Sequence, residues 1–223
     1  MNLILITSII DTPTKVLSYT PTRSVYSKSE RFEQTKRTIQ SVKQFIPNSI
    51  IVLVEYSKLS EEEHEYFVNN VDHFINIYTD TNFPRRDDLH SIYKSQCEGT
   101  MTEYALQYII NKNIKFNMFY KISGRYWLND NFNYESWNNA NSIIHRIGGS
   151  KDNILTALYK LNNEHTYKWF NFLQTIVGRY YSIYGYEQIF GLFLNYIDWV
   201  DVSHIDIAGV SGRISVCGSY LEI

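Results

Sequence analysis

The feature that most constrains this chain is a recurrence through its first half. Short apolar runs of branched and aromatic residues alternate with stretches of helical spacing. Leu3 to Ile10 is continuous and ends in Asp11-Thr12-Pro13-Thr14, which reads as a buried strand leaving into a loop. Apolar positions at Phe32, Ile39, Val42 and Phe45 then follow the period of a helix, with Arg31 near its opening. Ser27 or Ser29 would cap that helix and Pro47-Asn48 would close it. Ile50 to Glu55 reads as a second strand. Ser60-Glu61-Glu62-Glu63 reads as a helix start, with a capping serine and acids where the helix dipole favours them. Phe74 to Tyr78 is a third strand, Lys94 to Ile110 a helix, and Phe116 to Ser123 a fourth strand that stops at Ser123-Gly124-Arg125. Alternation of this kind predicts an α/β fold with a mostly parallel central sheet flanked by helices.

The second half is less regular. Ser142 to Ile147 and Asn153 to Leu161 read as strands separated by Gly148-Gly149. Tyr167 to Val177 and Tyr186 to Tyr196 read as helices, and Trp199 to Ile207 and Arg213 to Val216 as short final strands. No repeat, low-complexity tract or linker interrupts the 223 residues, so a single domain is expected over residues 1–223.

Composition narrows the partners. A formal net charge of -2 supplies no general attraction to nucleic acid or to an anionic membrane. Leu3 to Ile10 is short and follows no basic segment, and no stretch approaches the roughly 20 apolar residues of a membrane span. A cytoplasmic protein is expected (in the host cytoplasm if the source is viral). Cys97 and Cys217 lie far apart without metal-ligand spacing, and two reduced, packed thiols are expected. The 19 tyrosines suit stacking on sugars and bases, but a genome rich in A and T would favour the same residue bias.

In open parallel sheets, ligands bind beyond the carboxyl ends of the strands. That directs attention to the segments Thr7 to Ser29, Glu55 to Ser60, Thr79 to Asp88 and Ser123 to Asp130. The long, hydroxyl-rich loop from Thr12 to Ser29 is itself a functional candidate. Arg85-Arg86 beside Asp87-Asp88 reads as a self-compensated surface loop. GxGxxG, Walker, GxSxG and HExxH motifs are absent.

The segment Phe119 to Phe132 is the most informative, and it resembles the centre of the GT-A glycosyltransferases. There the fourth strand runs into an acidic DxD motif followed by an xxLxxxF tail. Leu128 to Phe132 matches the tail, but Ser123-Gly124-Arg125 stands where the acids would be. The resemblance extends in order to Arg31 to Lys43 with Ile46-Pro47-Asn48, to Lys94 to Ala105 with Glu98 inside it, to Tyr186 to Phe190, and to Val210 to Ile214. The resemblance implies transfer of a sugar from a nucleoside diphosphate sugar to a hydroxyl acceptor, a glycan in the polysaccharide and viral members, with residues up to about 130 serving the donor and about 131–223 the acceptor. Thr7 and Ser8 would lie near the base, and Arg31, Lys94 and Arg125 would meet the diphosphate. Ser123, Gly124 and Tyr126 would complete the donor site, with Gly124 admitting a close backbone approach. Glu187 would take the acceptor proton.

In that family the acids hold a divalent Mn or Mg ion, which neutralises the departing diphosphate. Arg125, whose planar fork matches phosphate oxygens, is the candidate substitute, and Asp130, His204 and Asp206 are the residual candidates for metal ligands. Each residue has a plainer reading. Arg125 could pair with an acid at the core edge, Arg31 could be solvated, and Glu187 could merely complement a helix dipole. A non-catalytic nucleotide- or glycan-binding domain of the same fold, or a nucleotidyltransferase, are the competing readings.

Overall fold

The computed structural model describes residues 1–139, 143–150, 153–176 and 182–223. Its first elements are β1 (Asn2–Ser8), α1 (Lys28–Phe45), β2 (Ser49–Glu55), α2 (Glu61–Asn70), β3 (His73–Asn76), α3 (Arg86–Leu89) and α4 (Lys94–Asn111). Then come β4 (Met118–Ser123), β5 (Tyr126–Leu128), α5 (Tyr134–Trp137), β6 (Ile143–Ser150), β7 (Asn153–Asn162) and α6 (Asn163–Ile176). The chain closes with α7 (Tyr186–Tyr196), β8 (Val202–His204), β9 (Val210–Arg213) and β10 (Tyr220–Glu222).

The central sheet has the order β3-β2-β1-β4-β7-β6-β8. β3, β2, β1 and β4 are mutually parallel, as the strand–helix alternation predicts. β7 runs antiparallel to β4 and to β6, and β8 pairs parallel with β6. A second sheet, β10-β9-β5, is antiparallel.

The two-residue period of β1 divides the core. Leu3 and Leu5 face a cluster that includes residues of α4, α6 and α7, while Ile4 and Ile6 face one that includes residues of α1, α2 and the small sheet. Both faces are therefore covered, which is why β1 and β2 read as unbroken apolar runs rather than alternating ones. On the first side, Trp169 is fully buried and packs edge-on to Phe190, with ring centroids 5.3 Å apart.

The helix starts follow their expected chemistry. Ser27 rather than Ser29 caps α1: Glu30 N donates to Ser27 Oγ at 3.3 Å and Ser27 N donates to Glu30 Oε2 at 2.8 Å. Arg31 thus lies one turn inside α1 rather than at its opening. Ser60 and Glu63 form the same reciprocal box at α2.

Several expected boundaries move. β3 ends at Asn76 because its side chain accepts from Tyr78 N at 3.0 Å and turns the chain. Gly148 and Gly149 lie within β6, where the pairing with β7 shifts register, rather than between two strands. Ser142 and Val177 lie outside the described residues. The expected strand from Trp199 to Ile207 shrinks to β8, because Asp198, Trp199 and Asp201 have φ of 53°, 55° and 57°, in the left-handed region. The expected strand from Arg213 to Val216 is displaced to β9, and residues after it form a turn in which Gly218 N donates to Ile214 O at 2.8 Å. Cys97 is buried as expected, but Cys217, in that turn, is exposed. Arg85 pairs with Asp88 at 2.5 Å and also with Glu103 of α4, so that loop is tied to the fold as well as self-compensated. Among the described residues, no helix is long and apolar enough to cross a membrane.

One polar stripe joins the two sheets. Thr35, Thr38 and Ser41 recur every three residues along α1 and face β5. Thr35 Oγ1 donates to Gly124 O at 2.9 Å, Thr38 Oγ1 donates to Tyr126 O at 2.6 Å, and Leu128 N donates to Ser41 Oγ at 3.0 Å. These bonds hold the chain where it leaves β4 and enters β5. Thr38→Val keeps the shape but leaves the Tyr126 carbonyl without this donor. It should lower stability by about 1–3 kcal/mol, measured by urea unfolding.

Candidate functional site

The carboxyl ends of β1 and β4 are adjacent in the sheet, with Thr7 opposite Ser123. Gly124 N donates to Thr7 O at 2.8 Å, which pins the two strand ends together. A side chain at Gly124 would put its Cβ 2.9 Å from Ser8 Cβ and 3.1 Å from Thr35 Oγ1. Gly124 therefore allows close packing against β1 and α1 at this strand end. Ser8 Oγ and Thr35 Oγ1 share a hydrogen bond at 2.9 Å in the same contact.

Beyond these strand ends lies a cleft with two chambers. The inner chamber, of about 70 Å³, is lined by Thr7 and Ser8 of β1, Ser123 and Arg125 after β4, Arg31 of α1 and Lys94 of α4, among others. The outer chamber is about 470 Å³ and is lined by Tyr19, Tyr93, Tyr186 and Glu187, with Lys94, Glu98 and Arg125 common to both. The structure thus gathers Thr7, Ser8, Arg31, Lys94, Ser123, Arg125 and Glu187 around one continuous space. It does not bring Tyr126 to either chamber's lining. The Tyr126 ring lies against Gly212, where an added Cβ would sit 2.0 Å from Cδ1, and it packs beneath the Arg125 guanidinium at 4.9 Å.

The cleft is rich in cations. Arg125 donates to Tyr126 Oη at 3.4 Å, while its Nε is buried without a partner. It forms no ion pair with a carboxylate among the described residues, so the core-edge acid of the plainer reading is not found. Arg31 is only 9 % exposed and is not the solvated side chain of the alternative reading. Its Nε donates to Ile9 O at 2.6 Å and its Nη1 to Ser215 Oγ at 3.2 Å. Burial, then the neighbouring Arg125, lowers Arg31 to about 10. Lys94 stands at the first turn of α4, where Tyr93 provides no side-chain cap. Burial first, and Arg125 next, pull its ammonium down to about 7.

Below the cations lies an interaction the sequence did not reveal. Lys121 points inward from β4, fully buried, and pairs with Glu98 of α4. Ser123 Oγ donates to Glu98 Oε1 at 2.9 Å, and Lys121 Nζ lies 3.0 Å from Ser123 Oγ. The ammonium also sits 5.2 Å from the centre of the Tyr186 ring. Burial alone would push the Glu98 carboxyl up. Lys121, Arg125 and the hydrogen bonds from Lys121 and Ser123 outweigh that and hold it at about 2. The only signal in the sequence is that Lys121 interrupts a strand otherwise apolar from Met118 to Ile122. A second missed acid, Glu55, is fully buried at the end of β2 and accepts from Ile10 N at 3.1 Å and Ser57 Oγ at 2.5 Å. Burial raises its carboxyl from the ordinary value.

Glu187 lies in the first turn of α7, and Thr156 Oγ1 donates to it at 3.4 Å. It faces the outer chamber, across from the tyrosine-bearing loop.

The expected metal ligands do not converge. Asp130 is exposed after β5, while His204 and Asp206 contact each other at 3.0 Å at the exposed β8 edge. Among the described residues, no group of three or more His, Cys, Asp or Glu side chains could hold a metal ion. In the cleft, Glu98 is already engaged by Lys121 and Ser123, and the remaining charged groups around it are mostly cations. That donor set does not fit Mn or Mg.

No family model matches the sequence, and no curated protein matches it either. Among solved structures, the fold is similar to that of a protein from Desulfovibrio desulfuricans assigned as a nucleotide-diphospho-sugar transferase. The TM-score is 0.50 at 9% identity, over 92% of this chain and 79% of that one. The likeness is one of fold: a mostly parallel central sheet flanked by helices. A glycosyltransferase involved in glycosylation of the major capsid of PBCV-1 aligns over 91% of this chain and 81% of its own, at 10% identity and a TM-score of 0.48. A Streptococcus pneumoniae glycosyltransferase aligns over 92% and 45%, at 10% identity and a TM-score of 0.49.

The Glu98–Lys121 pair makes a pH-dependent contribution with a defined sign. Glu98 titrates at about 2 in the folded chain and at roughly 4.3 when unfolded. Its contribution is present in full above the unfolded value and is lost as pH falls toward 2. Glu98→Gln should remove that part of the acid slope and cost about 3–5 kcal/mol at pH 7, because Lys121 is left charged and unpaired. Adding Lys121→Met should recover much of the loss, as urea unfolding between pH 2 and 7 would show.

Proposed function

We propose that this protein is a glycosyltransferase that moves a sugar from a nucleoside diphosphate sugar to a hydroxyl of a glycan acceptor. The observation that carries the reading is the convergence of Arg31, Lys94 and Arg125 on the inner chamber, with Glu187 facing the adjoining one. Enclosed like charges repel, so the arrangement favours a ligand that brings several negative charges. In this reading the diphosphate lies in the inner chamber near Thr7, Ser8 and Ser123, and the acceptor occupies the tyrosine-lined outer chamber.

The chemistry follows from those positions. The Glu187 carboxylate takes the proton from the acceptor hydroxyl as its oxygen bonds to the anomeric carbon. The bond from that carbon to the diphosphate oxygen breaks, and its electron pair leaves on the diphosphate. Arg125 and Lys94 stabilise the growing charge there, in place of a divalent ion. The uncapped first turn of α4 adds positive partial charge on the same side.

Glu187→Gln should nearly abolish transfer while leaving donor affinity unchanged, because the amide keeps the shape and cannot take the proton. Donor binding should persist in EDTA. Arg125→Ala should weaken it by about 1.5–3 kcal/mol per lost charged bond, with Arg125→Lys recovering only part. Loss of donor binding in EDTA would instead demonstrate a metal requirement. Binding of donors without turnover of any would mark the chain as a non-catalytic binding domain.

Lys94 gives a second test. A bound phosphate favours its charged form, so donor affinity should fall as pH rises above about 7. Lys94→Arg should flatten that dependence in calorimetric titrations from pH 6 to 9.

A further inference from the structure

Residues 12–27 leave β1 without a regular element and pass over the inner chamber. Thr12, Pro13 and Arg23 line that chamber, and Ser18 and Tyr19 line the outer one. The loop is held at a few points. Ser18 N donates to Ile92 O at 3.0 Å, Val25 N donates to Ser215 O at 2.8 Å, and Ser215 Oγ donates to Arg23 O at 3.0 Å. Lys15, Val16, Tyr19 and Val25 are exposed along it.

Arg23 is the unusual residue of this loop. Its Nη2 donates to the Ser91 carbonyl, just before α4, while Nη1 is buried with no partner. Arg125, which lines the same chamber, likewise has a buried Nε without a partner. Leaving a charged donor buried and unsatisfied is costly, and an oxyanion in the chamber would give Arg23 the acceptor it lacks. The inner chamber, of about 70 Å³, is continuous with the outer one of about 470 Å³, so an anion reaches Arg23 from that side. The strand ends, α1 and α4 belong to the packed core, whereas residues 12–27 are fastened to it by the buried Leu17 and scattered hydrogen bonds.

We infer that Arg23 is a further ligand-binding residue of the inner chamber, carried on a strap formed by residues 12–27 that a bound diphosphate holds down through the Arg23–phosphate contact. This rests on the diphosphate reading proposed above and adds to it the residue and the segment that close the site. The Ser91 carbonyl acts as the resting acceptor of Arg23, and the phosphate oxygens take its unmet donor. Tyr19 lies on the strap, so holding it down also fixes one side of the outer chamber.

The test uses the whole protein, in EDTA, with inorganic pyrophosphate and with the diphosphates of uridine, guanosine and adenosine. Calorimetry reads affinity, and amide hydrogen exchange reads the strap. The expected result is that at least one diphosphate binds and slows exchange within residues 12–27. Arg23→Gln should weaken that binding about 10–100-fold, and Arg23→Lys should fall between it and the parent. Unliganded melting and exchange in the core strands check that the variants fold. Should Arg23→Gln fail to fold, Arg23→Lys and the exchange response of the parent protein decide the matter. Equal affinity in the variants, or unchanged exchange in residues 12–27 on binding, would overturn the role of Arg23 and leave the diphosphate reading standing. Failure of every diphosphate to bind would overturn both.

Discussion

The buried ion pair between Lys121 and Glu98 is the interaction on which the rest of the site depends. It joins the end of β4 to α4 and lies against Tyr186 of α7, the three elements that carry Arg125, Lys94 and Glu187 or adjoin them. A pair taken out of water is stable only when its remaining hydrogen-bonding capacity is met. Here Ser123 meets part of it, and the Tyr186 ring faces the ammonium. Lys121 offsets most of the Glu98 charge, so Glu98 only partly compensates Arg125 and Lys94 above it.

A second constraint sets where those cations stand. The stripe Thr35, Thr38 and Ser41 binds the backbone of residues 124, 126 and 128 in turn. That fixes the path of the chain as it leaves the large sheet for the small one, and so fixes the side from which Arg125 enters the cleft. Gly124 contributes by letting Ser8 and Thr35 close in on it. The C-terminal part contributes too, since Ser215, in the turn after β9, fastens both the Arg31 side chain and the Arg23 backbone. The cleft is thus built from both ends of the chain.

Much of this was legible in the residues. β1 and β2 are largely continuous apolar runs because both faces of the parallel sheet are covered, and Ser60 shows its capping chemistry within four residues, whereas Ser27 and Ser29 were both open as caps of α1. The second half was harder. The segment from Trp199 to Ile207 has strand composition, yet left-handed residues after α7 break it, and β8 depends on pairing with β6. Strand propensity of that kind is settled by neighbours rather than by the residues themselves. Asp130, His204 and Asp206 illustrate the same limit: two are two residues apart in sequence, and nothing in that spacing says whether the third comes near.

What the sequence alone determined is local. Period-two and period-3.6 patterns, caps and turn residues act over a few positions, so they specify the strands and helices of the parallel half, their order, and the edge at which a ligand would bind. What only the tertiary structure decided is which charges meet. Lys121 reads as an ordinary lysine until β4 and α4 close around it, and Arg23 reads as a loop cation until residues 12–27 fold back over β1. Charge pairing and burial depend on distances between residues far apart in sequence. They exist only once the sheet has brought those residues together, and that is why the Lys121–Glu98 pair and the place of Arg23 could not be read beforehand.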